Sequence, residues 1–178
     1  MSSVGWYTLL IAAVGFERVA ELMVSRRNIR WALARGGVES GGSHYPAMVL
    51  LHVGLLVGCL IEVWVFKAPF IPWLGWPMLG LVIAAQSLRW WCIRTLGHHW
   101  NTKVVVVPGS PLVTTGPYAH FRHPNYAAVV IEGVALPMVH TAWVTAAAFT
   151  IANGILLRVR LRSEEAALAE LAELAELT

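Results

Sequence analysis

Three apolar runs, at residues 4–24, 45–66 and 71–93, are each long enough to cross a bilayer, which takes about 20 helical residues. In lipid every backbone N–H and C=O needs a partner within the protein, so runs of this length fold as helices. The rest of the composition agrees: 57% of the 178 residues are hydrophobic, 13% are charged, and Asp is absent. This is the composition of an all-α integral membrane protein and excludes an ordinary soluble domain of this size. The first run lacks a basic leader and a convincing cleavage site, so it reads as a membrane helix and not as a cleaved signal. Cys59 and Cys92 both fall inside apolar runs and read as small buried hydrophobes, with no disulfide and no Cys-x-x-Cys metal spacing. Most of the nine Trp stand near the ends of apolar segments, as expected at the headgroup level.

The connector at 67–70 is short enough to make the second and third helices a tight hairpin, and Pro72 and Pro77 are tolerated near the start of the third. Beyond residue 93 the chain changes character. Residues 94–125 form a polar loop holding four of the seven histidines. Polar, irregular backbone beside a bilayer persists only where protein buries it or where it lines a wet cavity, which makes this loop the first candidate for chemistry. Pro124 suits the first position of a helix. An apolar stretch follows from Tyr126, is broken at Pro137, and resumes from Ala142 to Leu157. Each half is short for a full span, so residues 126–158 form either a tilted pair in a thinned region or a hairpin packed among the other helices. In the tail, 162–178, Leu168, Leu171, Leu174 and Leu177 alternate with Glu170, Glu173 and Glu176, predicting a separate amphipathic helix outside the membrane. The expected architecture is therefore a single membrane domain over 1–178, with about five transmembrane helices, a connector loop and a C-terminal amphipathic helix.

Basic residues set the expected orientation. Arg26, Arg27, Arg30 and Arg35 follow the first helix, Arg94, Lys103 and Arg122 follow the third, and Arg158, Arg160 and Arg162 follow the fifth. Only Lys67 lies in a connector on the opposite side, so the N-terminus is expected outside and the loop and C-terminus in the cytoplasm. Small size and the absence of an organelle-retention ending point to a bacterial cytoplasmic membrane.

Several groups are placed to carry chemistry. Arg122 and His123 immediately precede the helix opened by Pro124, where free N–H groups and partial positive charge favour a carboxylate; the same residues would serve as headgroup anchors. Arg158, Arg160 and Arg162 followed by Glu164 and Glu165 read as cytoplasmic anchors leading into a soluble helix. Glu132 lies two turns beyond Asn125 on the same helix face, about 10 Å deeper. An ionisable residue at that depth is a functional candidate by default, and a buried carboxyl there is placed to take a proton. Glu17, Arg18 and Glu21, near the inner end of the first helix, read as stitches between helices. His52 and Glu62 read as interhelical hydrogen-bonding partners. His98, His99, His120 and His123 lack an acidic or Cys companion and do not make a metal site.

Taken in order, Leu96-Gly97-x-x-Trp100-Asn101, Gly116-Pro117-Tyr118, Arg122-His123-Pro124-x-Tyr126, an apolar hairpin and Arg160-x-x-x-Glu164-Glu165-x-x-Leu168 resemble the isoprenylcysteine carboxyl methyltransferase family, itself similar to the phospholipid N-methyltransferases. The resemblance runs from about Leu88 to Leu168. It implies a membrane enzyme using S-adenosylmethionine, held in a cytoplasmic pocket closed by the loop and the C-terminal segment. By that analogy Tyr118, His123 and Tyr126 contact the cofactor's amino-acid end or shape its pocket, and Glu164 and Glu165 hold its amine or ribose. Arg89 matches an arginine near the substrate carboxylate. The chain is shorter than the eukaryotic members, and Glu132 has no acidic counterpart in them.

The expected reaction is O-methylation of a lipophilic small molecule entering from the bilayer: a phenolic lipid, alkylpyrone or quinone-like hydroxyl, or the carboxylate of a prenylated thiol. Glu132 is the expected proton acceptor and Arg89 the group that orients the acceptor. Membrane lipids are the other expected partners, and nucleic acid is not one. A nicotinamide-dependent lipid reductase, disfavoured by the lack of a glycine-rich fingerprint, and a non-enzymatic membrane scaffold are the competing readings.

Overall fold

The first helix carries buried residues at Tyr7, Ile11, Val14, Glu21, Ser25, Asn28 and Ala32, with Arg18 mostly buried between them. The spacing alternates between three and four residues, which keeps one stripe facing the protein for the whole length of a helix. The stripe begins apolar and turns polar at Arg18, so a single helix face builds first core and then site.

The computed structural model describes residues 2–40, 45–110 and 113–176. Among them are five α-helices: α1 (Ser3–Leu33), α2 (Tyr45–Trp64), α3 (Pro72–Leu96), α4 (Pro124–Met138) and α5 (Trp143–Glu176). Two short strands, β1 (Val38–Ser40) and β2 (Val104–Val106), pair antiparallel with Val38 opposite Val106. The mostly helical fold agrees with expectation. Two of the helices, Tyr45–Trp64 and the Trp143–Arg162 part of α5, are long and apolar enough to cross a membrane by length and composition. Outward-facing Leu9 and Phe16 on α1, and Trp73, Trp76 and Ile83 on α3, give those helices apolar outer surfaces as well.

Two boundaries differ from the sequence reading. α1 does not stop at Val24 but continues to Leu33, because Ser25, Asn28 and Ala32 are buried while Arg26, Arg27 and Arg30 point out. The tail is not a separate helix: α5 runs unbroken from Trp143 to Glu176, since nothing between Leu157 and Arg162 terminates it.

α4 packs against both α3 and α5, and α5 also packs on α2. More than half of α4 is buried, nine of its 15 residues. From Ala135 onward every residue through Ala142 is buried. The approach of α5 is close because position 133 is Gly; a Cβ there would collide with the Phe149 ring. Glu62 on α2 accepts hydrogen bonds from the backbone N–H groups of Val144 and Thr145, placing a carboxylate on the free N-terminal amides of α5. That bears out its expected role between helices. His52 differs: it bonds to the carbonyl of Met48 on its own helix, at 2.8 Å.

The polar loop is stapled to the inner half of α1. Gly97, at φ 54, turns the chain out of α3. The Asn28 amide then donates to the carbonyls of Gly97 at 2.9 Å and Trp100 at 2.7 Å, and Ser25 Oγ accepts from the Thr102 N–H at 3.0 Å. Trp31 stacks on His98 with 5.1 Å between ring centroids. Asn28 is 1% exposed, so Asn28→Ala strands two carbonyls away from water. A loss of about 1–3 kcal/mol is expected, read as earlier thermal unfolding in detergent.

Candidate functional site

The polar part of the α1 stripe meets α3 and α4 in a buried ion-pair network. Arg89, on the buried face of α3, bonds through its Nη2 to Glu132 Oε2. Its Nε lies 3.5 Å from Glu21 Oε1. Arg18 bridges to Glu21 at 2.9 Å and stands 3.7 Å from both Glu132 and Glu17. Gln86 joins the group by accepting from Arg18 at 2.9 Å and donating to Glu17, which also accepts from the Trp90 indole N–H. Arg89 is 3% and Glu132 4% exposed. Ions at this burial persist when paired and hydrogen-bonded, because each alone carries a desolvation cost of several kcal/mol. Glu17, Arg18 and Glu21 thus do stitch helices as expected. Arg89, near the inner end of α3, was open to the same pairing in the sequence; the added member is Glu132.

Beside the network lies a cavity of about 210 Å³ between α1, α2, the end of α3, the loop, α4 and α5. Arg18, Glu21 and Arg89 form its polar floor, and Asn101, Asn125 and Arg160 stand around it with His52 and Tyr45. Val19 and Val53 also line it, and both are about half exposed on the outside of the protein, at 53% and 51%. The cavity wall between α1 and α2 therefore borders the lipid-facing surface. Among the described residues, eight buried side-chain polar atoms lack a hydrogen-bond partner, and seven belong to residues lining this cavity; two of these, Arg89 Nε and Glu21 Oε1, face each other at 3.5 Å, which leaves five open to a ligand. Buried polar groups are nearly always satisfied, so such a concentration marks a place where a ligand supplies the partners. A second hollow of about 600 Å³ lies between α1 and α3, but Gln86 and Trp90 already satisfy the Glu17 carboxylate there.

The predicted cofactor residues fall into two groups. His123 occupies the N-cap position of α4 without a side-chain capping bond, and its ring stacks on Tyr126, centroids 5.2 Å apart and rings within 12° of parallel. The guanidinium carbon of Arg160 lies 5.2 Å from the Tyr126 ring centroid, and its Nη1 donates to Met48 Sδ at 3.1 Å. Loop, α4, α5 and α2 therefore meet at Tyr126, and Arg160 and Asn125 extend from that junction into the cavity. Tyr118 sits in the turn Gly116–Ala119 and hydrogen-bonds with Cys92 of α3. Glu164 and Glu165 lie one turn beyond Arg160 in α5, and their side chains are outside the described residues. Arg122, read together with His123 as an anion site, is exposed.

This donor set suits a ligand with a carboxylate, an amine and hydroxyls. Arg160 Nε is an unpaired cationic donor, and the side-chain oxygens of Asn101 and Asn125 are unpaired acceptors. In the sequence Asn101 stands out only as part of the family pattern, and Arg160 reads equally as a cytoplasmic anchor. Arg18 was passed over as a stitch, although its place in the three-and-four stripe of α1 was a signal that it faces inward.

The profile of the isoprenylcysteine carboxyl methyltransferase family matches residues 78–170. Protein YpbQ of Bacillus subtilis (strain 168), described as uncharacterised, is 40% identical over 92% of this chain and 97% of its own length. A protein-S-isoprenylcysteine O-methyltransferase of Tribolium castaneum is 30% identical, covering 71% of this chain and 46% of that protein. The structure of the eukaryotic intramembrane Ras methyltransferase superposes with a TM-score of 0.57 at 29% identity, over 72% of this chain and 47% of that one. This chain spans about half the length of those two methyltransferases. None of these matches favours the reductase or the scaffold.

Proposed function

The chain belongs to the isoprenylcysteine carboxyl methyltransferase family, and from that premise we propose that it transfers a methyl group from S-adenosylmethionine to an oxygen of a lipid-soluble acceptor inside the membrane. The acceptor is prenylcysteine-like in general character: an apolar body bearing a carboxylate or an acidic hydroxyl. The observation that carries this reading is the convergence of unpaired buried polar atoms on one cavity whose side wall borders the lipid.

S-adenosylmethionine supplies an electrophilic methyl group on a positively charged sulfur. His123, Tyr126 and Tyr118 would frame its binding site with Arg160, and Glu164 and Glu165, a turn further along α5, would hold its amine or ribose. Arg89, held from two sides by Glu132 and Glu21, presents a fixed guanidinium to the cavity and orients the acceptor oxygen for in-line displacement. Glu132 serves best as the holder of Arg89. Its Oε2 already faces two guanidinium groups, which leaves that oxygen poorly available to an acceptor proton. The acceptor enters from the bilayer between α1 and α2, past Val19 and Val53. The positive-inside pattern favours five crossings, with the N-terminus outside and the site at the cytoplasmic face of a bacterial membrane.

Calorimetric titration of the purified protein with S-adenosylhomocysteine tests the reading. Saturable binding is expected, weakened by about 1.5–3 kcal/mol in His123→Ala and in Glu165→Ala through loss of a charge-assisted hydrogen bond. Absence of binding to the folded wild type would refute the function. Undiminished affinity in both variants would move the cofactor away from these residues.

A further inference from the structure

The cavity contains a histidine that the methyl-transfer reading leaves without a task. His52 lines it from α2. Nδ1 of the ring lies 2.8 Å from the Met48 carbonyl, which can only accept, so Nδ1 carries the hydrogen. In the neutral ring the free lone pair is then on Nε2. Phe149 meets the ring edge-on, centroids 5.5 Å apart, and holds its plane.

The other titratable groups around the cavity are differently committed. Arg18 and Glu21 of α1, Arg89 of α3 and Glu132 of α4 are tied together in ion pairs. Arg160 of α5 is a cation with no lone pair to take a proton, and Tyr45 of α2, below the Lys103 ammonium, is itself a weak acid. His52 is the cavity-lining side chain with a free basic nitrogen.

We infer that His52 is the proton acceptor of the reaction, and that the acceptor is a phenolic or enolic hydroxyl on a lipid-soluble body. The inference rests on the methyl-transfer reading of the same cavity and narrows its substrate. A carboxylate is already ionised at neutral pH and needs no base, whereas a phenol, with a pKa of about 10, does. In the step, Nε2 takes the hydroxyl proton as an oxygen lone pair forms the O–CH₃ bond. The S–CH₃ bond breaks with its electron pair passing to sulfur, which becomes neutral. The products are the methyl ether, the thioether and a protonated His52, which returns its proton to solvent after release. Arg89 steadies the developing oxyanion throughout.

The test uses the full chain in lipid nanodiscs with two acceptors, para-dodecylphenol and its more acidic ortho-nitro derivative. His52→Gln and His52→Asn both keep an amide donor for the Met48 carbonyl. The expected result is a loss of about 10²–10⁴-fold in transfer to para-dodecylphenol. The nitro compound, far more ionised at the same pH, should lose less than about tenfold, since it depends less on a base, and S-adenosylhomocysteine affinity should match wild type. Equal losses on the two phenols, or none on either, would overturn the role of His52. Wild-type protein that methylates the carboxylate of S-farnesylthioacetic acid but neither phenol would overturn the hydroxyl class while leaving the methyltransferase standing. Wild-type protein that does not bind S-adenosylhomocysteine would overturn both.

Discussion

Arg89→Ala is expected to lower stability by about 3–5 kcal/mol, the cost of leaving a buried charge without its partner. The guanidinium it removes faces Glu132 and Glu21, and Glu132 is 4% exposed with only Arg18, at 3.7 Å, left nearby. Denaturation of the detergent-solubilised protein measures the loss. A value below about 1 kcal/mol, typical of an exposed pair, would contradict the buried network. The paired variant Arg89→Met with Glu132→Met separates folding from function. Replacing both ions by apolar groups of similar size removes the desolvation cost together with the attraction, so it should recover most of the lost stability. Arg18 keeps its bridge to Glu21 at 2.9 Å in that variant. Turnover should not return, because the guanidinium placed to orient the acceptor oxygen is gone and Arg18 stays bound to Glu21.

Glu132→Gln is the milder substitution with the larger kinetic effect. It preserves volume and removes one negative charge from the clamp on Arg89. A guanidinium freed to shift by about an ångström costs on the order of 10²-fold in turnover. S-adenosylhomocysteine affinity should stay at its wild-type value. The loss should be the same for acceptors of different acidity. If Glu132 took the proton itself, as its position in the sequence suggested, a more acidic acceptor would restore the rate.

The helical class was legible in the sequence because run length reports it directly, whereas the short connector misled: α2 packs on α1 and α5 and α3 packs on α4, so the two do not form the expected tight hairpin. The i,i+3 stack of His123 on Tyr126 fits within one turn, and Glu62 was recognisable as an interhelical partner. The end of α1 was not legible. A run-length reading stops at the charges after Val24, whereas the helix continues because Ser25 and Asn28 on its inner face bind the loop. Polar residues on a buried stripe cancel the hydrophobic contrast that marks an amphipathic helix. The ion-pair network was equally hidden: Arg89 and Glu132 are 43 residues apart, and neither local pattern names the other. The strand pair had a signal in the β-branched run Val104 to Val107, but its partner at Val38–Ser40 is remote in sequence.

The far end of the molecule closes on itself. His140 and Thr141, both buried, bond to the carbonyls of Ala68 and Pro69 at 2.8 and 2.5 Å, and the Tyr7 hydroxyl donates to the Leu136 carbonyl at 2.9 Å. With 15 residues α4 is about 22 Å long, short of the roughly 30 Å of hydrocarbon. The turn between α4 and α5 draws its hydrogen bonds from the α2–α3 connector. This bears on biogenesis. A segment this short for the hydrocarbon, with Glu132 at its middle, is a poor client for release into lipid by itself. It becomes a good one once α3 is in place to offer Arg89 and the 68–69 carbonyls are there to receive its turn. Insertion of the last two helices is thus templated by the first three, and the order of synthesis along the chain is also the order in which each segment acquires the partners that make the membrane tolerable to it.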